Sequence, residues 1–149
     1  MEAESYADAE TAEFIHQHFV PVEAHIKEHP AWFKRFDAVW TPTVLLLDSD
    51  GRERVRLEGY LLKNDFDAWL RCGLGRLAFM KKKFTDAEPW YDEVATRFAD
   101  SHFGAEATYW RGVARYSATH DHTVLAPLAA ELQEKYPGSV WSEKAIPWG

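Results

Sequence analysis

The spacing of hydrophobic positions along the chain sorts it into a run of short mixed elements followed by helices. Phe14, Ile15 and His18 share one face of a helix that Asp8 can cap, with Glu10 and Glu13 in the early turns where the helix dipole favours acid, so a helix over 8–18 is predicted. Val22, Ala24 and Ile26 then alternate after Pro21, which predicts a strand over 19–26. His29 to Phe36 reads as a short helix with Pro30 in its first turn. Thr43 to Leu47 carries no polar alternation, the pattern of a strand covered on both faces, as in sheets with helices on each side. Pro42 precedes it and Asp48-Ser49-Asp50-Gly51 ends it in a turn. Beyond that turn, Val55 and Leu57 alternate with charged residues up to Gly59-Tyr60, an edge strand with one wet face that closes an antiparallel hairpin.

A further helix starts at Lys63 or Asn64 and places Phe66, Trp69 and Leu70 on one face, and Gly73 and Gly75 mark a change of region. From Leu74 the pattern is one of helical hairpins. Leu74, Gly75, Ala78, Phe84, Ala87, Tyr91 and Val94 resemble the large and small positions of a tetratricopeptide unit, where small residues let two antiparallel helices approach closely. Thr85-Asp86-Ala87-Glu88 has the form of a capping box for the second helix, with Pro89 in its first turn. A second unit carries Tyr109, Trp110, Gly112 and Tyr116, then Leu125, Leu128 and Leu132, and closes at Tyr136-Pro137-Gly138. Residues 139–148 read as a capping helix. Two such units fall short of the three that a free-standing solenoid usually needs, so these helices are expected to lean on the mixed region or on a partner.

Trp40-Thr41-Pro42-Thr43, the aliphatic strand, the Asp-x-Asp-Gly turn, the second strand ending in Gly59-Tyr60 and the amphipathic helix together resemble the C-terminal half of a thioredoxin domain. Met1 to Asp8, with Phe19-Val20-Pro21-Val22, is similar to bacterial thioredoxin-like proteins that read Cys-x-x-Cys-x-x-Met-Glu before a Ser-Tyr or Thr-Tyr. Some of these carry tetratricopeptide-like helices after that domain. The expected fold is therefore α/β: a thioredoxin-like domain, incomplete at its N-terminus, over 1–73, and tetratricopeptide-like α-helical hairpins over 74–149. The resemblance implies that Pro42 is cis and that Trp40, Thr41 and Pro42 form a peptide-facing turn.

Thiol exchange needs a low-pKa thiolate and a second thiol to resolve the mixed disulfide. Neither redox cysteine is in this sequence, so no catalytic residue is assigned and the chain is expected to be redox-inactive. The same alignment removes the strand between the 20–26 and 43–47 strands, leaving backbone groups unpaired at about 1–3 kcal/mol each. Three compensations stay open: Met1 is an internal methionine of a longer redox protein; a strand from a second copy or a partner fills the gap, which makes a homo-oligomer; or the sheet closes on itself.

The 149 residues are 46% hydrophobic and 15% aromatic, enough for a real core. A formal charge of −7 argues against a nucleic-acid partner, and Lys81-Lys82-Lys83 is the one basic run, read as a solvated helix end. With no apolar run long enough for a bilayer and an acidic N-terminus, the chain is expected to be cytoplasmic, with no membrane partner. The single cysteine, Cys72, is a lone thiol, expected to be buried and structural. His120-Asp121-His122 and His16-x-His18 lack the face-sharing and the ligand set of a metal site, so neither metal nor cofactor is expected. Asp92, Glu93 and Glu106 read as helix-surface charge, and Trp69, Trp90 and Trp110 as core. The functional expectation is thiol-disulfide exchange or peptide binding by resemblance, with the residues present supporting only the latter. The alternative is a non-enzymatic scaffold that binds a partner protein through the helical region.

Overall fold

A computed structural model describes residues 7–149. Met1 to Tyr6, which carry part of the resemblance drawn above, lie outside the described residues. The chain divides into two compact units, Met1–Phe66 and Asp67–Gly149.

In the first unit, helix α1 (Ala9–His18) begins where Asp8 caps it, the carboxylate accepting a hydrogen bond from Thr11 N at 3.0 Å. That bond, opposed by some burial and aided by Lys63, holds the Asp8 carboxyl below its ordinary pKa. Helix α2 (Pro30–Arg35) starts on its proline, whose missing N–H is no loss at that position. Strands β1 (Thr43–Leu47) and β2 (Glu53–Glu58) pair antiparallel, Val44 opposite Leu57 and Leu46 opposite Val55, with an irregularity at Leu47. The end of α2 is tied to this hairpin: Arg35 Nη2 donates to Gly51 O at 3.1 Å, and Arg56 donates to Phe36 O.

Two expectations fail here. Residues 19–26 form no strand: Val20, Val22 and Ile26 are exposed, and the only sheet among the described residues is β1-β2. Alternation specifies a strand only when a neighbour takes its hydrogen bonds. Here the backbone curls instead, with Glu28 N and His29 N both donating to His25 O and His29 Nδ1 accepting from His25 N. Nor is β1 covered on both faces, since Leu46 alone is buried and the rest of the strand is half-buried. An aliphatic run records what a strand could bury, not what lies against it.

Helix α3 (Lys63–Met80) runs straight through Gly73 and Gly75, so those glycines do not break the chain. In the second unit it is followed by α4 (Phe84–Arg97), α5 (Gly104–Thr119), a 3-10 turn (His122–Val124), α6 (Leu125–Lys135), α7 (Val140–Ala145) and a last 3-10 turn (Ile146–Trp148). Gly75 explains its own presence in a helix: a Cβ there would come within 2.8 Å of the Tyr91 ring on α4. Gly112 on α5 stands in the same relation to Leu128 on α6, with a Cβ meeting Leu128 Cδ2 at 2.2 Å. The interval from Gly75 to Tyr91 equals that from Gly112 to Leu128, so one small-against-large contact is repeated in both hairpins.

Around these contacts lie a core of Ala68, Cys72, Ala87, Tyr91, Val94 and Phe98 and a second of Leu128, Ala129, Leu132 and Ala145. Tyr136 Oη donates to Ala99 O at 2.7 Å, joining the end of α6 to the α4-α5 connection. Ser139 caps α7 through Ser142 N at 3.1 Å, and the stretch read as one helix over 139–148 is a six-residue helix followed by the 3-10 turn. The capping box at Thr85 does not form, because α4 starts one residue earlier, at Phe84, after a turn in which Lys83 N donates to Ala78 O at 3.0 Å. Trp69 is buried, whereas Trp90 and Trp110 are only half-buried.

Candidate functional site

Trp40, Thr41 and Pro42 form one turn immediately before β1. Thr43 Oγ1 donates to Trp40 O at 2.7 Å and Gly59 N donates to Pro42 O at 2.8 Å, so the turn is fixed at both ends by the hairpin it introduces. The Thr41-Pro42 peptide bond is cis. With its backbone held this way, the indole of Trp40 is 67% exposed, and Val39 beside it is 80% exposed.

The hairpin that carries the turn is braced at its other end by Asp48. Its carboxylate accepts from Asp50 N at 2.9 Å, Arg52 N at 3.0 Å and Arg54 Nε at 2.8 Å. The Arg52 amide, followed by Arg54 and Asp50 and opposed by burial, keeps this carboxyl below its ordinary pKa. Gly51 supplies the left-handed backbone that the turn needs, at φ 75°.

β1 has β2 as its one strand neighbour among the described residues. Its opposite edge thus presents backbone donors and acceptors to whatever lies alongside. β2 is bordered by Arg52, Glu53, Arg54, Arg56 and Glu58, but β1 contains no charged residue. Charged side chains discourage strand addition, so of the two edges β1 is the receptive one. The arrangement can hold an extended chain by backbone hydrogen bonds and an indole face.

The lone thiol, Cys72, belongs to the core of the second unit. Burial, reinforced by the negative charge of Glu106, pushes its pKa far above that of a free cysteine. Burial and a raised pKa both favour the neutral thiol of a packing group.

Among the described residues no three of His, Cys, Asp and Glu come together as a metal site would require. His120 is the left-handed C-cap of α5, at φ 56°, and Asp121 accepts from Thr123 N at 2.9 Å to start the following 3-10 turn. A hollow of about 400 Å³ is lined by Ala126, Ala129, Ala130, Gln133, Ile146 and Gly149, with no acidic, basic, His or Cys side chain among them.

Asp92, exposed, pairs with Arg111 at 3.1 Å, and Glu93, half-buried, pairs with the buried Arg71 at 2.9 Å. Glu106 has no ion-pair partner among the described residues. It is half-buried, and burial raises its pKa against the pull of Lys144 and Arg76. The same unit holds a chain of rings: Phe79 to Trp110 at 5.3 Å, Trp110 to Tyr109 at 5.5 Å, and Tyr109 to Trp141 at 5.3 Å and Trp148 at 5.1 Å. Sequence reasoning missed this cluster because its members come from three separate helices and the last 3-10 turn. The available signal was the density of Trp and Tyr at the start of α5 and around α7.

With this geometry in hand, residues 1–73 match the family model described as a thioredoxin-like domain. No curated protein and no solved structure gives a match. Among the described residues no helix is long and apolar enough to cross a membrane.

Proposed function

We propose, on the premise of a thioredoxin-like domain over residues 1–73, that this chain binds extended peptide at the Trp40-Thr41-Pro42 turn and does not itself carry out thiol-disulfide exchange. The observation that carries the reading is the exposed Trp40 indole on a turn anchored at both ends, at the head of a strand with one receptive edge. An incoming extended segment gains backbone hydrogen bonds along β1 and apolar contact with Trp40 and Val39. The same edge would accept a strand from a second copy, so peptide binding and self-association compete for it. Cys72, buried and un-ionised, supports the absence of redox turnover, and a single reduced thiol suits the cytoplasm.

The test pairs two assays on this chain. Reduction of insulin disulfides with dithiothreitol as electron source should run no faster with the protein than without it. An extended apolar peptide should bind the wild type and lose about tenfold or more in affinity with Trp40→Ala, the scale of losing one aromatic anchor. Catalytic turnover, or binding indifferent to Trp40, refutes the reading.

A second reading, partner binding through tetratricopeptide-like hairpins, is favoured by the repeated contacts Gly75 to Tyr91 and Gly112 to Leu128, and by the half-buried ring cluster.

A further inference from the structure

The cations of the helical unit differ in what they meet. Arg71, Arg111 and Arg115 each meet a carboxylate: Glu93 at 2.9 Å, Glu131 at 2.6 Å and Glu88 at 2.5 Å. Arg76 and Lys144 meet none within ion-pair distance among the described residues. They lie over indole rings instead, Arg76 at 5.8 Å from the Trp110 centroid and Lys144 Nζ at 4.0 Å from that of Trp141. The two rings are 6.5 Å apart, so the two cations border one aromatic patch.

Glu106 is a carboxylate within electrostatic reach of both cations, and its side chain makes no hydrogen bond among the described residues. Neither cation has an ion-pair partner there, in a chain whose formal net charge is −7.

We propose that this face binds an extended peptide segment in which Asp or Glu side chains alternate with aromatic residues, the carboxylates meeting Arg76 and Lys144 and the rings covering Trp110 and Trp141. Charge sets the sign of the partner: a basic segment would meet two cations, whereas an acidic one gives each a counter-charge beside an aromatic surface that its bound chain would cover. Rings that already hold cations on their faces offer edges and flanks to further aromatic groups. The proposal deepens the helical-unit reading, rests on it, and is independent of the Trp40 turn.

The test is fluorescence anisotropy on the full chain with a fluorescein-labelled, C-terminally amidated peptide, Gly-Ser-Phe-Glu-Phe-Asp-Phe-Ser-Gly. Its Gln/Asn counterpart, a Lys counterpart and a single-stranded DNA decamer serve as competitors. The acidic peptide should bind saturably, weaken by about tenfold or more in the Arg76→Gln/Lys144→Gln variant, and be unaffected by Trp40→Ala. Both substituted side chains are exposed, so the variant should keep the thermal transition of the wild type, which is checked alongside. Lack of saturation up to about 1 mM, equal binding of the Gln/Asn peptide, tighter binding of the DNA, or indifference to the double substitution each overturns the proposal. Loss of acidic-peptide binding with Trp40→Ala would also overturn it, by placing that peptide at the other site.

Discussion

Gly112 on α5 lies so close to Leu128 on α6 that a methyl group added to it would stand 2.2 Å from Leu128 Cδ2, inside any allowed contact. The helices can approach this far only because the glycine has no side chain. Gly112→Ala should therefore destabilise the chain by about 1–3 kcal/mol, the usual cost of overpacking. In a Leu128→Ala background the same change should cost much less, since the clashing atoms are gone. Chemical denaturation of the four proteins in this cycle measures the coupling, and strict additivity would show that the two residues do not meet.

Cys72 is buried with its thiol held in the neutral form. In the folded chain it should resist iodoacetamide at a pH where free cysteine is alkylated readily, and react fully once urea unfolds the protein. Rapid alkylation in the native state would identify an accessible thiolate and reopen redox chemistry.

Glu106 has its folded-state pKa raised by burial, against the pull of Lys144 and Arg76. As pH rises, the unfolded chain loses this proton first. Stability from this residue is thus greatest when both states are protonated and falls from the ordinary glutamate pKa up to the folded value. Glu106→Gln should flatten that part of the stability profile. An unchanged slope in urea titrations across the acid range would mean that Glu106 is not desolvated.

Asp48 closes the β1-β2 turn by accepting from three groups. Asp48→Ala should lower the melting temperature and speed hydrogen exchange at Arg52 N before it affects α5. The altered hairpin should also weaken peptide binding at Trp40, because Thr43 and Gly59, which fix that turn, belong to the same hairpin or border it. Exchange that quickens everywhere at once would point to global rather than local loosening.

Local chemistry made part of this structure legible. The Asp8 cap, Pro30 at the start of α2 and the Asp48 to Gly51 turn are decided within a few residues, and each stands where the sequence places it. What depended on distant neighbours was misread. Val22, Ala24 and Ile26 have strand spacing but no strand beside them among the described residues. Gly73 and Gly75, read as marking a change of region, sit within one helix, where Gly75 leaves room for Tyr91. At the candidate site, consecutive residues such as Trp40 to Pro42 could be named in advance. The grouping of Arg76, Glu106 and Lys144 could not, because three helices bring it together.

The most direct test of the peptide-binding account is an amide-resolved NMR titration of this chain with an extended apolar peptide. The account predicts saturable shifts at Trp40, Thr41 and the β1 amides Thr43 to Leu47, accompanied by a change at the Trp40 indole N–H. Saturable binding that leaves all of these unmoved would contradict it, and would place peptide recognition elsewhere in the molecule.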